Sequence, residues 1–448
     1  MTRSSHLGRP SIGAGRVPEP RRRIALLFCN FALGGIQRSL IRLADELTAR
    51  GYAVDLLVER AAGQHASDVP ASCRVLELAR SHPRLAPRVA LCRRFPTLTK
   101  HLFRFETRIC RGFGIGFSDQ YRFLELLDAV RAYAEANRPS VILAAEPRFN
   151  QLAVCVAALS SLRVRVVTSD HNNLDHDRSR FWSRERFAKR TVSLYNQADV
   201  VVGVSEGIAG QLRNRGVHSE RVRAFYNPVI DGQADLQGAG TAVLHPWLQD
   251  GSIPVVVCVG RLTRQKGLDT LLEAFALARR LTPCRLLVLG ESSDHRDDVR
   301  YFGELTALRA ELDLSRDVEF AGFVPDPFPY YRRAALAVLP SRWEGLGNVL
   351  IEAMAVGCPV VSTDCPHGPR EILEHGRYGP LVPVGDAPAL AAGIVDTLRR
   401  PPPTDPLVRR AQMFTVGAAA DRFLDAIDLP RRAVPAASPT ALGVEPAG

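Results

Sequence analysis

The sequence predicts an α/β protein made of two doubly wound parallel-sheet domains that face each other across a cleft. Three observations lead there. Short apolar runs, each followed by a Gly-containing or polar turn and then a helical period, occur in both halves of the chain. A Pro/Gly-rich stretch without periodicity, NPVIDGQADLQGAGTAVLHPWLQDGSIP at 227–254, separates the halves. At 448 residues the chain is too long for one ordinary domain and suits two of roughly 200.

Residues 1–23 form a Pro/Gly/Arg tail that reads as disordered, and with no apolar core it does not read as a secretory signal. The first domain is assigned to 24–230. IALLFC (24–29) predicts a buried strand, NFALGGIQRS the turn after it, and Leu40, Leu43 and Leu47 a helix closing at Arg50-Gly51. AVDLLV (53–58) predicts the second strand, with further strands at 141–145, 164–168 and 200–204 and a helix around 182–197. The linker is assigned to 231–254. The second domain, 255–400, opens with strand 255–260, the turn RLTRQKG and helix 268–281. Strand 285–290, helix 299–312 and strands 318–320, 336–339 and 359–362 follow. A Pro-rich break (401–406) precedes one closing helix, 407–428, with Phe414, Phe423, Leu424 and Ile427 as its apolar side, and 430–448 reads as a disordered tail.

Composition excludes several classes. Hydrophobic residues at 46% and charged residues at 23% are ordinary for a globular protein. No run of about 18 apolar residues suggests a spanning helix. Nine cysteines without a CxxC pair suggest neither a disulfide framework nor a zinc site, so a reducing cytoplasm is expected. The net charge of +11 is concentrated in two places: +5 in 1–23 and +7 in 84–122. Within 97–113, Leu98, Leu102, Phe105, Ile109 and Phe113 fall on one helical stripe, opposite Lys100, Arg104, Arg108 and Arg111, with Arg93 just before it on the same side as the cations. Such a basic amphipathic helix suits an anionic membrane surface, or equally a helix packed on its own domain with a solvated basic face. No motif points to nucleic acid.

Ligands of doubly wound sheets bind outside the strand carboxyl ends, and the chemically suggestive residues stand there. Gly34 and Gly35 follow the first strand and open a helix, permitting close backbone approach and favouring an anion; a ligand-free tight turn explains them equally. The pattern is neither GxGxxG nor a Walker loop. His171, in Asp170-His171-Asn172, follows strand 164–168, where a ring nitrogen can bond a sugar hydroxyl or a backbone group. Asp175-His176-Asp177 matches DxD formally but ends no strand and reads as a polar loop, so no metal is expected. Arg261 and Lys266 follow strand 255–260; a planar fork and a point charge on one turn suit a diphosphate, against the alternative of two solvated surface cations. The block Ser341-Arg342-Trp343-Glu344-Gly345-Leu346-Gly347-Asn348-Val349, with Glu352 eight residues beyond Glu344, places two carboxylates on one broad side of a helix start. Carboxylates there can accept from sugar and ribose hydroxyls.

With PSRWEGLGNVLIEAMAVGCPVVSTDCPHGPREIL (340–373), VGRLTRQKG (259–267), FALGGIQRSL (31–40), VSEG (204–207) and YNPV (226–229) in view, the chain resembles the glycosyltransferases of family 4, of the GT-B fold with two Rossmann-like domains. Gln37 stands where many members carry Glu. The resemblance covers about Ile24 to Ile427. It implies retaining, metal-independent transfer of a sugar from a nucleotide-diphosphate donor, UDP-linked by preference over GDP, to a saccharide acceptor such as a lipid-linked surface-polysaccharide precursor, with no cofactor. It implies that Arg261 and Lys266 bind the diphosphate, that Glu344 contacts the donor sugar and Glu352 the ribose, and that Gly347, Asn348 and Val349 lie beside phosphates and sugar. It further implies that Phe323 and Val324 pack on the base, that Gly34 and Gly35 approach the donor phosphate, that His171 faces the reacting sugar, and that the closing helix crosses back to the first domain. A location on the inner face of the cytoplasmic membrane follows from such an acceptor. A GT-B epimerase or phosphorylase, a non-catalytic sugar-nucleotide-binding protein, and an NAD-dependent oxidoreductase lacking its nucleotide fingerprint are the competing classes.

Overall fold

The structure is a computed structural model and describes residues 22–32, 34–78, 117–160, 163–175, 185–231, 245–293 and 295–431. Residues 1–21 and 432–448 of the two tails, the 97–113 segment, His176 and Asp177 lie outside the described residues, whereas Arg23, read as part of the first tail, opens the first strand and pairs with Ala53.

The strands are β1 (Arg23–Phe28), β2 (Ala53–Val58), β3 (Arg74–Glu77), β4 (Val141–Ala145), β5 (Arg165–Asp170), β6 (Val200–Gly203), β7 (Val222–Ala224), β8 (Val255–Val259), β9 (Arg285–Leu289), β10 (Val318–Gly322), β11 (Leu336–Leu339), β12 (Val360–Thr363) and β13 (Leu381–Val382). The α-helices are α1 (Gly35–Ala49), α2 (Phe117–Asn137), α3 (Pro147–Leu159), α4 (Glu185–Tyr195), α5 (Glu206–Asn214), α6 (Pro246–Asp250), α7 (Leu268–Leu281), α8 (Arg296–Glu311), α9 (Phe328–Arg333), α10 (Asn348–Ala355), α11 (Pro369–Ile372), α12 (Ala387–Arg399), α13 (Thr404–Ala411) and α14 (Val416–Ala426).

Among the described residues there are two parallel sheets, ordered β3-β2-β1-β4-β5-β6-β7 and β10-β9-β8-β11-β12-β13. In each, the chain first winds outward to one side, then returns past its first strand and winds the other way. The reversal falls between β1 and β4 in the first sheet and between β8 and β11 in the second. Strands covered by helices on both faces must be apolar throughout, and RIALLF, VILAA, VVVCV and LAVL are almost entirely so. The strands missed in the sequence are edges: β3 is partly exposed, and β7 and β13 have three and two residues. Helix α3 was missed because PRFNQLAVCVAAL is buried over much of its surface and carries no polar face to set a period.

Two expectations need correction. The linker contains helix α6, with Pro246 in its first turn, the His245 ring accepting from the Trp247 N–H at 3.3 Å, and Gly251 left-handed at its end. The single closing helix 407–428 is two helices. Its α13 ends in a 3-10 turn, Gln412–Phe414, and Thr415 caps α14 by accepting from Ala418 N–H at 3.3 Å. The break has a cause: the Phe414 carbonyl accepts from Val229 and Ile230 N–H at 3.1 and 3.3 Å, so the chain must turn there. Phe414 then joins an apolar cluster that includes Leu350, Met354 and Leu407, whereas Phe423, Leu424 and Ile427 join the cluster of β1, β2 and α1. What reads as one apolar side serves two cores.

Arg50, the residue that caps the end of α1, binds α14 through the Asp421 carboxylate and the Gly417 carbonyl, so this helix is fixed on the first domain. Phe423 is fully buried there. Phe423→Ala is expected to cost about 3–5 kcal/mol, read as a lower urea midpoint; an unchanged midpoint would show that α14 is not part of the first core.

Candidate active site

The site forms where the two sheet reversals meet. All twelve residues singled out in the sequence (Gly34, Gly35, His171, Arg261, Lys266, Phe323, Val324, Glu344, Gly347, Asn348, Val349 and Glu352) line one cavity of about 600 Å³. They come from the carboxyl ends of β1, β5, β8, β10 and β11 and from the start of α10.

The second-domain wall is built as one unit. The turn after β8 is a 3-10 turn, Arg264–Lys266, closed by left-handed Gly267. Lys266 Nζ donates to Glu344 Oε1 at 2.6 Å, and Ser341 Oγ donates to the same oxygen at 2.6 Å. Gln265 Nε2 donates to the Trp343 carbonyl at 3.0 Å, and Arg342 N–H donates to the Gln265 carbonyl at 2.7 Å. Arg342 is itself tied to Asp269 on α7 at 2.7 Å, which holds that carboxyl below its ordinary range against the opposing effect of burial. Glu344 is buried, with the Lys266 ammonium beside it as its counter-ion. Arg261 is exposed on the same turn. Phe323 is exposed at the rim, 39% accessible, where a flat ligand could cover it. Beneath the site the Cys258 and Cys365 thiols are pushed up to about 12, chiefly by burial, and are inert as nucleophiles.

The first-domain wall meets it closely. A Cβ on Gly35 would stand 3.1 Å from Asn348 Nδ2, and Asn227 Nδ2 donates to Asn348 Oδ1 at 3.2 Å. Arg38, one turn into α1, reaches Glu352 at 3.5 Å. A Cβ on Gly345 would lie 2.0 Å from the His171 carbonyl oxygen, so only glycine lets these two backbones pass. Below the cleft, both oxygens of the Glu371 carboxylate accept from α5, from Glu206 and Gly207 N–H, each at 2.8 Å. A carboxylate on a helix N-terminus is favoured by the backbone dipoles as well as by the two bonds.

His171 Nε2 shares a hydrogen bond with Ser169 Oγ at 2.9 Å. Its Nδ1 is shut off from solvent, and the Asn227 side chain beside the ring partly offsets the effect of burial on it. Burial holds the imidazole down at about 4, so the ring is neutral at physiological pH and serves as a polar hydrogen-bonding group, not as a cation. Asp175 is taken up by Gln211 and Arg215, a structural use of the first acid of the DxD pattern.

Among the cavity residues that carried no assignment in the sequence are Gln37, Arg38, Glu146 and Asn227. Asn227 lies inside the quoted YNPV motif. Arg38 follows Gly34-Gly35 by one helical turn. Glu146 ends the apolar run VILAA, so the same strand-end rule that found Arg261 and Lys266 could have found it.

Comparisons with known proteins agree with this architecture. Residues 33–231 match the family model of Glycosyltransferase Family 4, and residues 253–400 match that of Glycosyl transferases group 1. The fold is GT-B: the Anabaena protein Alr3699/HepE, solved in complex with UDP, superposes with a TM-score of 0.67 at 20% identity over 91% of this chain and 99% of that one. Each of the two domains thus matches a glycosyltransferase family model of its own. The lipopolysaccharide core biosynthesis glycosyltransferase LpsE of Rhizobium meliloti (strain 1021) is 33% identical over 203 residues, 45% of this chain and 55% of the relative. The N-acetylgalactosamine-N,N'-diacetylbacillosaminyl-diphospho-undecaprenol 4-alpha-N-acetylgalactosaminyltransferase of Campylobacter jejuni is 31% identical over 203 residues, 45% of this chain and 51% of the relative. The chain thus spans about half the length of these curated relatives.

Gly345→Ala is expected to push the facing backbones apart by about 1 Å, the gap between 2.0 Å and the 3.0 Å that real Cβ contacts require. The variant should show a larger radius of gyration by X-ray scattering and a lower melting temperature. No change in either would mean that the cleft does not depend on this contact.

Proposed function

We propose that the chain transfers a sugar, with retention of anomeric configuration, from a nucleotide-diphosphate donor to a saccharide acceptor. The observation that supports it best is the pairing of functions in one cleft: two cations on the β8 turn, two carboxylates at the α10 start, and the Gly34-Gly35 turn opposite. UDP is the first donor to test, since the structural neighbour of like fold was solved with UDP. A lipid-linked saccharide is the first acceptor to test, because one relative's name specifies a diphospho-undecaprenol-linked glycan.

In this chemistry the bond between the anomeric carbon and the diphosphate oxygen breaks, and its electron pair leaves with the phosphate. The acceptor oxygen bonds to the same face of that carbon, and the departing phosphate takes its proton. Arg261 and Lys266 meet the charge growing on the leaving group, so no metal ion is required. Glu344, held by Lys266 and Ser341, is positioned to accept from donor-sugar hydroxyls, and Glu352 from the ribose. The neutral His171 adds no positive charge beside the developing oxocarbenium.

Calorimetry with UDP, GDP and ADP is expected to show micromolar binding of a single diphosphate, unchanged by EDTA and lost in Arg261→Ala. Removing either cation should slow transfer by about 100- to 1,000-fold, by analogy with oxyanion-stabilising donors. Glu344→Ala should abolish transfer while the circular dichroism spectrum stays native. Absence of any diphosphate binding at millimolar concentration would sink the proposal.

The charge of +7 in 84–122 adds a proposal about location, an anionic membrane surface. No described helix is long and apolar enough to cross a membrane. Reversing Lys100, Arg104 and Arg108 to Glu should release the protein from phosphatidylglycerol vesicles at low salt; continued co-sedimentation would contradict surface binding through this segment.

A further inference from the structure

Each doubly wound sheet has two strands flanking its reversal, which gives this cleft four privileged strand ends. Three of them carry groups already assigned: Gly34-Gly35 after β1, Arg261 and Lys266 after β8, and Ser341 to Glu344 after β11. The fourth, β4, ends directly in Glu146, which lines the same cavity on the first-domain side.

Glu146 is an expensive residue for the fold. Its backbone has φ 75° and ψ 140°, in the positive-φ region that a side chain with a Cβ adopts only under strain. As the residue before Pro147 it starts α3 but makes no side-chain cap. Its carboxyl is set among other ionisable groups. Glu59, at the end of β2, bears on it with like charge; Arg148 of α3 opposes this and reaches Glu59 at 3.7 Å. Glu59 is also paired with Arg122 of α2, and the Cys29 thiol after β1 is pushed up to about 11 by burial and by Glu146 and Glu59. Burial first and Glu59 second raise the Glu146 carboxyl to about 7. Gln37 Nε2 donates to Glu146 Oε1 at 3.3 Å, from the position where the resembled family often has Glu. An amide there gives Glu146 a hydrogen-bond donor that a carboxylate could not supply.

We propose that Glu146 is the acceptor-binding residue of this cleft: its carboxylate accepts a hydrogen bond from a hydroxyl of the incoming saccharide and orients it toward the donor sugar. The proposal rests on the cleft being a sugar-transfer site. Glu146 faces that site from the wall opposite the diphosphate-side cations, on a strand end with no other chemical assignment. Strain and buried charge there lower stability, and a group placed so serves the ligand more plainly than the fold.

Ionised Glu146 accepts and protonated Glu146 does not, so kcat/KM for the acceptor should rise with pH to a plateau, with a midpoint near 7. The stability effect has the opposite slope. The native state holds a proton that the unfolded chain releases near the ordinary glutamate value of 4.5, so stability falls as pH climbs from 4.5 to about 7.

The test is UDP release from UDP-glucose, UDP-galactose and UDP-N-acetylglucosamine, with octyl β-glucoside, octyl β-galactoside and octyl β-N-acetylglucosaminide as acceptor probes. Glu146→Ala and Glu146→Gln should raise the glycoside KM at least tenfold while UDP affinity by calorimetry stays within twofold. Glu146→Gln should flatten the pH profile and raise the melting temperature at pH 8, and Gln37→Glu should move the midpoint upward. An unchanged glycoside KM in Glu146→Gln, or UDP binding with no turnover of any glycoside by the parent protein, overturns the proposal. Failure of the parent protein to bind UDP, GDP or ADP instead overturns the sugar-transfer function on which it rests.

Discussion

The approach of two backbones, the His171 carbonyl after β5 and Gly345 in the loop after β11, sets the geometry of the cleft. A side chain at 345 would collide with the opposite domain. The contact brings α1 within reach of α10, so that Arg38 meets Glu352 and Asn227 meets Asn348. Lys266 and Glu344, held together on one side, then face Gly34 and Gly35 on the other. Each of these bonds is modest. Partly exposed ion pairs contribute little alone, so the closed arrangement depends on several contacts formed together and on shape.

Two further devices sustain it away from the ligand. The Glu371 carboxylate receives the first N–H groups of α5, and Arg410 of α13 donates to the Glu371 and Ile372 carbonyls from behind. The α14 helix returns to α1, with the turn at Phe414 pinned by Val229 and Ile230 just before the linker. Linker and chain end therefore meet at one hinge point, and the apolar cluster around Phe414 runs through it between the domains. A domain pair joined in this way can open only by giving up these backbone bonds, a natural limit on the motion that donor entry and product release would need.

Much of this was legible in the sequence because a parallel sheet leaves a strong trace. Strands such as VILAA and LAVL have no polar position to blur their limits, and β2, β4 and β11 begin and end where the apolar runs do. The site residues were legible for a related reason: polar residues directly after such runs stand at the sheet's carboxyl edge. What could not be read was whatever depends on a partner distant in sequence. The break at Phe414 is made by the amides of Val229 and Ile230. The Lys266–Glu344 pair joins residues 78 positions apart, and local spacing gave each a separate ligand. Edge strands β3, β7 and β13 have little burial to mark them.

The distribution of charge within the cleft follows from the same geometry. On the second domain Lys266 carries its own counter-ion in Glu344, which fixes the position of its ammonium group. On the first domain two ionisable residues are held away from full charge, the His171 ring by burial and Glu146 by burial and by Glu59, while Arg38 and Arg42 of α1 line the cavity as cations. Cations on both walls, together with the Glu344 and Glu352 carboxylates and the polar groups of His171 and Glu146, favour a ligand that is anionic at one end and hydroxyl-rich at the other. A nucleotide sugar meeting a saccharide has that polarity. A dinucleotide, whose charge lies at its middle, matches it less well.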